Sequence, residues 1–310
     1  MGICRAAIGL LARESCRLNF RGTVATLGRQ HVYATAEELQ QALANHRLPL
    51  PTQPAVLHRE PTLAERGFIS DGFLLESLGF QQVVRLDCDN YEEIDELIDL
   101  NVAETPDRLR DRFDAIFDFG TLEHIYHVPH ALARLVEMTR VGGRIVHFSP
   151  ASNCIEHGFY SFSPTLFRDH YQAAGFQLNQ ILICRMPRDF ERGRWQVYEY
   201  PLEFRGSLPM GRFGSGIYYT FVVATKLSDS RVPIAAPQQA SYVDLWQGSQ
   251  ADGASTPVEN GRAAALLRQT AGIPLLEPLA RSAIRCWRAI RQRWQIARQG
   301  PVPFPKLGDY

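Results

Sequence analysis

Apolar and polar positions alternate along the chain in a way that predicts short strands separated by helices. Runs with β-branched or alternating apolar residues indicate strands at residues 22–28, 81–87, 96–101, 113–120, 142–150, 176–184 and 217–226. Runs with helical spacing lie among them, at residues 36–46, 71–79, 130–140 and 163–175. Strands that alternate with helices imply an α/β fold with a mainly parallel sheet covered on both faces.

Local end signals support three of these helices. Thr35 and Glu38 have the spacing of a capping box, in which each side chain accepts a hydrogen bond from a free backbone N–H group. Ser163 is a candidate N-cap, and Pro129 suits the first turn of the helix that it opens.

The composition changes after residue 227. Residues 228–262 carry few aliphatic side chains and many turn formers, which predicts a flexible linker between a domain at 1–227 and a helical C-terminal region at 263–310. In that region Trp287 and Trp294 belong to an apolar stripe that arginines accompany. We expect this basic helix to dock or to self-associate, and contact with a membrane surface is the alternative.

The overall composition limits the partners. With 310 residues, 45% of them hydrophobic and 21% charged, the chain can bury a substantial core. The formal net charge is +0, so no global field attracts nucleic acid and we expect none as a partner. Six scattered cysteines without a C-x-x-C pair favour reduced thiols in a cytoplasmic protein over a disulfide framework or a zinc site.

The N-terminal residues 1–15 contain an apolar run that is short and is closed by Arg13 and Glu14. We therefore expect no cleaved leader, and Ala6 in place of Ser or Thr argues against a myristoyl anchor. The sequence contains no run of about 18 apolar residues, so we expect no membrane-spanning helix.

One stretch concentrates its polar residues where a strand ends. Residues 113–150 read FDAIFDFGTLEHIYHVPHALARLVEMTRVGGRIVHFSP, with Asp118, Gly120, Glu123 and His124 in or beside the loop. In an open parallel sheet, ligands bind at the carboxyl ends of the strands. The stretch therefore predicts a functional site.

This stretch resembles the class I S-adenosylmethionine-dependent methyltransferases in its strand, its LEH loop and the helix that leads to a glycine pair and the next strand. The similarity extends to SPTLFRDHYQAAGF and to IYYTFVVATK, which corresponds to the family's antiparallel seventh strand. It covers residues 22–227 and is specific in residues 113–176.

The resemblance implies a Rossmann-like, mainly parallel seven-stranded sheet with an antiparallel last strand, followed here by a helical C-terminal extension. It also implies a methyltransferase that uses S-adenosylmethionine and modifies an O or N atom of a small-molecule or sugar-like acceptor.

The family's functional positions carry over residue by residue. The resemblance implies that Asp87 accepts hydrogen bonds from the two ribose hydroxyls of the cofactor and that Asp99 or Asn101 reads the adenine. The end of the fourth strand, from Asp118 to His124, would face the methyl group and the acceptor. The predicted cofactor-binding residues are Gly28, Arg29, Asp87, Asp99, Asn101 and Asp118, the predicted catalytic residues are Glu123 and His124, and no metal ligand is predicted.

The first strand departs from the family pattern. The family has a glycine-rich turn there, whereas this chain reads TLGRQHVY, with Gly28 followed by Arg29, Gln30 and His31. An arginine at this place can pair with the carboxylate of the cofactor's methionine portion. The alternative is a methyltransferase-like domain that has lost catalysis and serves as a binding or scaffold module.

Each assigned residue also has a purely structural interpretation. Asp87 and Asp99 can cap loops, because Asp is common wherever a strand ends. Glu123 and His124 can orient their loop, although an imidazole near neutral pH suits His124 to proton removal.

Two patterns beside these residues stay open. His124, His127 and His130 form H-x-x-H-x-x-H, but Pro129 interrupts any helix that would align them, which argues against a metal site. The loop EHGFYSFSP, residues 156–164, either lines an acceptor pocket or covers the core.

Overall fold

The structure is a computed structural model and describes residues 2–91, 94–204, 213–229, 236–251, 286 and 304–310. The chain divides into two compact units. One comprises Met1–Glu203, Ser215–Pro237 and Phe304–Tyr310, and the other comprises Phe204–Gly214 and Gln238–Pro303.

The helices and strands follow each other in an α/β pattern. The helices are α1 (Arg5–Leu18), α2 (Ala36–Asn45), α3 (Pro61–Ala64), α4 (Asp71–Ser77), α5 (Val128–Met138), α6 (Pro164–Ala173) and α7 (Ala240–Ala251). The strands are β1 (Ile3–Cys4), β2 (Thr23–Leu27), β3 (Val32–Tyr33), β4 (Gln82–Asp87), β5 (Glu96–Leu97), β6 (Phe113–Phe119), β7 (Thr139–Ser152), β8 (Phe176–Met186), β9 (Gln196–Glu199), β10 (Ile217–Lys226) and β11 (Lys306–Asp309). None of the helices in the described part of the chain has the length and apolarity needed to span a bilayer.

Within the described residues, nine strands form one sheet in the order β11-β9-β8-β10-β7-β6-β2-β4-β5. Pairing is parallel from β7 through β6, β2 and β4 to β5, while β10 is antiparallel to both β7 and β8. From β5 to β7 this is the doubly wound order, with the first strand of the sheet in its middle. The chain therefore has the predicted class I methyltransferase fold with its antiparallel last strand, enlarged by β9 and β11 at one edge.

The strand directions bring the predicted site residues to one edge of the sheet. Asp87 ends β4, Asp99 follows β5, and Asp118 is the next-to-last residue of β6. Because these strands run parallel, their carboxyl ends share an edge. β8 runs in the same direction, since it and β7 are both antiparallel to β10.

Alternate residues of β6 face opposite sides of the sheet. Phe117 packs edge-on against Phe20, with ring centroids 5.7 Å apart, and shares a core cluster with Leu11 of α1. Asp118 faces the other side, where a buried hydrogen-bond network links it to Tyr171 of α6. Helices therefore cover both faces, as the alternation of strands and helices predicted.

The helix α1 is a core element that the sequence pattern did not predict. Its Ile8 and Leu11 are fully buried, and burying each side chain is worth about 1.5–3 kcal/mol. The helix ends at Asn19, whose left-handed backbone (φ 52°) lets its N–H group bond to the carbonyl of Ser15.

Two described elements lie within the predicted linker and the predicted C-terminal region. The predicted linker, residues 228–262, contains α7, in which Tyr242 and Trp246 lie one turn apart with ring centroids at 6.0 Å. The predicted helical region, residues 263–310, ends in the strand β11, which pairs with β9. The basic helix expected around Trp287 and Trp294 lies outside the described residues.

Candidate functional site

The turn after β2 faces the end of β4. Gly28 has a left-handed backbone (φ +72°), and a Cβ added there would lie 3.3 Å from Oδ2 of Asp87. The N–H group of Gly28 donates to the carbonyl of Leu86 at 2.6 Å, which fixes the turn against β4. The half-buried Asp87 carboxylate therefore lies beside a turn that carries no side chain at its closest point.

The next two side chains of the turn pack into the protein. Gln30 is buried, and its Nε2 donates to the carbonyl of Leu27 at 2.8 Å. Nη1 of Arg29 lies 3.7 Å from Oδ1 of Asp71, the first residue of α4. Arg29 therefore lies beside the turn, where the sequence placed it, and contacts a carboxylate of the protein.

Arg29, Asp71 and Arg85 form a charged cluster that lines a cavity of about 320 Å³. Arg85 holds Asp71 with two hydrogen bonds, Nε to Oδ2 and Nη2 to Oδ1, both at 2.9 Å. Burial alone would raise the pKa of Asp71, but the hydrogen bonds from Arg85 and the charge of Arg29 outweigh it and lower that pKa. Because Arg85 holds the carboxylate directly, Asp71 does not depend on Arg29.

Asp99 and Asn101 form a hydrogen-bonded turn after β5. Oδ1 of Asp99 accepts hydrogen bonds from the backbone N–H of Asn101 at 2.9 Å and from its Nδ2 at 3.0 Å, and these bonds lower the pKa of Asp99. Oδ1 of Asn101 accepts from the N–H of His127 at 3.0 Å. Asn101 therefore ties the β5 loop to the start of α5, whereas Asp99 remains exposed at the sheet edge.

Asp118 is fully buried, and both oxygens of its carboxylate accept hydrogen bonds from other groups of the protein. Oδ1 accepts hydrogen bonds from the N–H groups of Thr121 and Leu122, both at 3.1 Å, and Oδ2 accepts one from Nδ1 of His147 at 2.7 Å. The hydroxyl of Tyr171 donates to Nε2 of His147 at 2.5 Å, which closes the network inside the core. Asp118 thus orients the loop after β6, and its predicted contact with the cofactor stays a prediction.

Glu123 is fully buried in that loop, yet in the described part of the chain neither of its carboxylate oxygens has a hydrogen-bond partner. Its Oε1 lies 3.3 Å from Nε2 of His157, in contact but outside hydrogen-bond geometry. Burial, with a smaller effect from the charge of Asp118, raises the pKa of Glu123 to about 8. At neutral pH the carboxyl group therefore keeps its proton and can donate it.

The loop that carries His157 closes over Glu123. The N–H groups of Phe159 and Tyr160 donate to the carbonyl of Glu123 at 2.9 and 3.3 Å. A Cβ added at Gly158 would lie only 2.8 Å from that carbonyl oxygen, so the close approach requires glycine. This contact holds His157 beside the buried carboxyl group.

His124 and His157 form the accessible side of the site. Their ring centroids lie 5.4 Å apart, and burial lowers the pKa of both imidazoles. Both rings are therefore unprotonated near neutral pH and can accept a proton. The sequence prediction included His124 but missed His157, for which the only signal was a His-Gly pair in a loop after a strand.

Three groups of described residues bring possible metal ligands within 4.8 Å of one another: His31 with His58 and Glu60, Glu123 with His124 and His157, and Asp87 with Cys88 and Asp89. In the first group, Nδ1 of His58 accepts a hydrogen bond from the N–H of Glu60 at 2.9 Å, which assigns the proton to Nε2. That tautomer leaves His58 no nitrogen for a metal. His127 and His130 belong to none of the groups, so the H-x-x-H-x-x-H pattern does not assemble.

No protein-family model and no curated protein matches the sequence. Solved structures with a similar arrangement include the 1,6-didemethyltoxoflavin-N1-methyltransferase of Burkholderia thailandensis with S-adenosylhomocysteine bound (15% identity, 72% of this chain, 80% of that chain, TM-score 0.39). Another is the N-methyltransferase NodS of Bradyrhizobium japonicum in complex with S-adenosylhomocysteine (12% identity, 72% of this chain, 87% of that chain, TM-score 0.39). A third is an O-methyltransferase family protein of Burkholderia thailandensis (10% identity, 72% of this chain, 55% of that chain, TM-score 0.33). The fold assignment for this chain rests on its own strand order.

Proposed function

We propose that this protein is an S-adenosylmethionine-dependent methyltransferase that acts on an O or N atom of a small-molecule or sugar-like acceptor. One observation carries the proposal, the meeting of two complementary features at the carboxyl edge of the sheet. Asp87 presents a carboxylate beside the bare backbone of Gly28. Glu123 and His157, both neutral near pH 7, follow β6 and β7, which lie two and three strands away at the same edge.

The residues at this edge fit the cofactor. A carboxylate such as that of Asp87 can accept hydrogen bonds from both hydroxyls of a ribose. The glycine beside it lets a ligand approach the backbone, because no Cβ intervenes. Asp99 and Asn101 follow the neighbouring strand and are the candidates for adenine contact, while Arg29 is the candidate partner of the methionine carboxylate.

The chemistry asks little of the protein beyond alignment and proton transfer. When bound, S-adenosylmethionine would supply an electrophilic methyl carbon on its sulfonium sulfur. The acceptor's lone pair would form the new bond to that carbon, and the electron pair of the broken carbon–sulfur bond would stay on sulfur. Alignment can contribute up to about 7–11 kcal/mol. The proton that the acceptor loses goes to the imidazole of His157 or of His124, and the buried, protonated Glu123 lies against the His157 ring and positions it.

Calorimetric titration of the full chain with S-adenosylmethionine and S-adenosylhomocysteine tests the proposal. We expect both to bind, and Asp87→Asn to weaken binding about tenfold to a hundredfold, as for the loss of a charge-assisted hydrogen bond. Asp89→Asn is the matched control, because Asp89 is an exposed acid two residues along the same loop. If neither ligand binds the wild type, the scaffold alternative replaces the enzyme.

A second measurement concerns the proton acceptor. His157→Gln is expected to retain S-adenosylhomocysteine binding, since the residue touches the acceptor side only. Methyl transfer from labelled S-adenosylmethionine to a panel of small hydroxyl and amine compounds is expected to fall about a hundredfold or more in the variant. Unchanged transfer would exclude His157 as the base.

A further inference from the structure

A cavity of about 600 Å³, separate from the candidate site above, is lined by three arginines, Arg185, Arg188 and Arg194. We propose that this arginine cavity binds a phosphate group of the acceptor, so that the substrate is a phosphorylated small molecule. The identification of the ligand as the methyl acceptor rests on the proposed methyltransferase function, but anion binding in the cavity can be tested without it.

The register of the strands places the cavity at the functional edge of the sheet. Arg185 is the next-to-last residue of β8, and it pairs with Tyr218 near the start of β10. Tyr218 in turn pairs with Ser152, the last residue of β7. The carboxyl ends of β7 and β8 therefore lie together, and the arginine cavity opens where ligands of such sheets bind.

No carboxylate among the described residues pairs with the arginines of the cavity. Nη1 of Arg185 donates to the neutral Oε1 of Gln196 at 3.0 Å. Arg188 and Arg194 are exposed, and among the described residues none of the three arginines forms an ion pair with a carboxylate. Asp309 is the acid among the described residues that line the cavity, and it pairs with Lys306 at 2.7 Å.

This charge distribution selects the class of anion. A guanidinium fork matches the oxygens of carboxylate or phosphate in two parallel hydrogen bonds. A single carboxylate would neutralise one of three guanidinium groups, whereas a phosphate ester or diphosphate carries two or more negative charges. The cavity volume lies within the range of small-molecule sites, about 300–1,000 Å³. The three arginines together therefore favour a phosphate group.

The cavity is physically coupled to the loop that carries His157. Gly216 lies in its wall, and a Cβ added there would lie 2.9 Å from Nε of Arg185, so glycine lets the guanidinium group rest against the backbone. The carbonyl of Gly216 accepts a hydrogen bond from Nδ2 of Asn153 at 2.6 Å. Asn153 directly follows β7, four residues before His157.

The strands that lead to the two sites are close enough for one small substrate to reach both. From β7 to β8 there are two strand spacings, or about 10 Å. A phosphate held by the arginine cavity can therefore belong to the same molecule whose hydroxyl or amine reaches His157. A sugar phosphate or a nucleoside diphosphate derivative has this separation between its anionic and its methyl-accepting groups.

Calorimetry with simple anions on the full chain tests the inference, at about 0.05 M salt where charge interactions are weakly screened. Inorganic pyrophosphate is expected to bind more tightly than inorganic phosphate, and acetate to bind least. Arg188→Gln combined with Arg194→Gln is expected to weaken pyrophosphate binding about tenfold or more. Both side chains are exposed, so the variant keeps its fold, which its unfolding midpoint verifies.

The matched control removes the same charge at the opposite edge of the sheet. Arg110→Gln with Arg140→Gln changes two exposed arginines near the amino ends of β6 and β7, and pyrophosphate binding is expected to stay as in the wild type. Equal loss in both double variants would mean a general charge effect and would overturn the site. Equal binding by the Arg188/Arg194 variant and the wild type, or acetate binding as tight as pyrophosphate binding, would also overturn it.

The outcomes separate this inference from the proposed function. If S-adenosylhomocysteine binds and pyrophosphate does not, the phosphorylated acceptor is wrong while the methyltransferase stands. If pyrophosphate binds through these arginines and S-adenosylhomocysteine does not, the anion site stands and the enzyme does not.

Discussion

Glu123 and His157 meet across two loops, with Oε1 of the carboxyl group 3.3 Å from Nε2 of the imidazole. One loop follows β6 and the other follows β7, so the parallel pairing of these strands brings the two residues together. Burial raises the pKa of the acid and lowers that of the base, which makes both groups neutral near pH 7. The pair thus combines a protonated carboxyl group with an unprotonated imidazole.

Replacing Glu123 by Gln is expected to change how stability depends on pH. The pKa of Glu123 is about 8 in the folded protein against 4.5 ordinarily, so between these values only the folded state holds the proton. The free energy of unfolding of the wild type therefore falls as the pH rises through this window, by up to a few kcal/mol. Glu123→Gln lacks this dependence. Urea unfolding at about pH 5 and about pH 8 measures it, and parallel losses in both proteins would contradict the buried neutral acid.

The contact between the two loops predicts a cost at Gly158. In Gly158→Ala the new Cβ would meet the carbonyl oxygen of Glu123 at 2.8 Å, and we expect a loss of about 1–3 kcal/mol in the free energy of unfolding. Gly308→Ala is the control, because its nearest neighbour would be the ring of Tyr310 at 3.5 Å, an ordinary contact. Equal stability of the Gly158 variant and the control would mean that the loops move apart without cost.

Elements with local signals were predicted well from the sequence. The capping box at Thr35 and Glu38 forms as expected, and Ser163 caps α6 by accepting from the N–H of Thr165. Each of these contacts joins residues within three positions of each other. The seven predicted strands also form. They were recognisable because alternating apolar and polar residues indicate a strand in which every second side chain is buried.

Elements that depend on distant partners were missed. β11 pairs with β9, more than a hundred residues earlier, and its four residues, with Gly308 among them and Pro305 just before, give no local strand signal. His157 acquires its role only where it meets Glu123, 34 positions before it in the sequence. The resemblance implied a cofactor contact for Asp118, and the sequence did not show that this residue lies on the covered side of β6, where it is buried.

The buried network of Asp118 is expected to contribute to stability. In Asp118→Asn the side-chain oxygen can still accept from backbone N–H groups, but the amide NH₂ would face the Nδ1–H donor of His147. A buried donor without an acceptor costs about 1–3 kcal/mol. Asp107→Asn is the control, since that side chain is fully exposed and is expected to change stability by less than about 0.5 kcal/mol. Similar urea midpoints for both variants would contradict the structural role of Asp118.

The last residues belong to the sheet, so their removal is expected to destabilise the first unit. Trp195 exchanges two backbone hydrogen bonds with Tyr310, at 2.8 and 3.0 Å, and Phe304 packs against Tyr200 with ring centroids 5.2 Å apart. Deleting residues 304–310 is expected to cost at least about 2 kcal/mol, the worth of the buried Phe304 alone. Lys306→Ala, at a half-exposed side chain, is the control. Thermal unfolding of the shortened chain at the wild-type midpoint would show that β11 does not pair in solution.

Arg29→Ala tests how a turn with a single glycine holds the cofactor. Arg29 is the cation next to Gly28, and if it binds the methionine carboxylate, its loss removes a charge-assisted contact worth about 1.5–3 kcal/mol. Binding of S-adenosylhomocysteine is then expected to weaken about tenfold to a hundredfold in calorimetry. Methylthioadenosine has no carboxylate, so its affinity is expected to change little.

The fold of Arg29→Ala is expected to persist, because two hydrogen bonds from Arg85 keep Asp71 paired without Arg29. Arg110→Ala controls for the loss of one positive charge. Equal loss of affinity for both ligands would assign Arg29 to the shape of the turn, and unchanged affinity for both would make it a bystander held by Asp71.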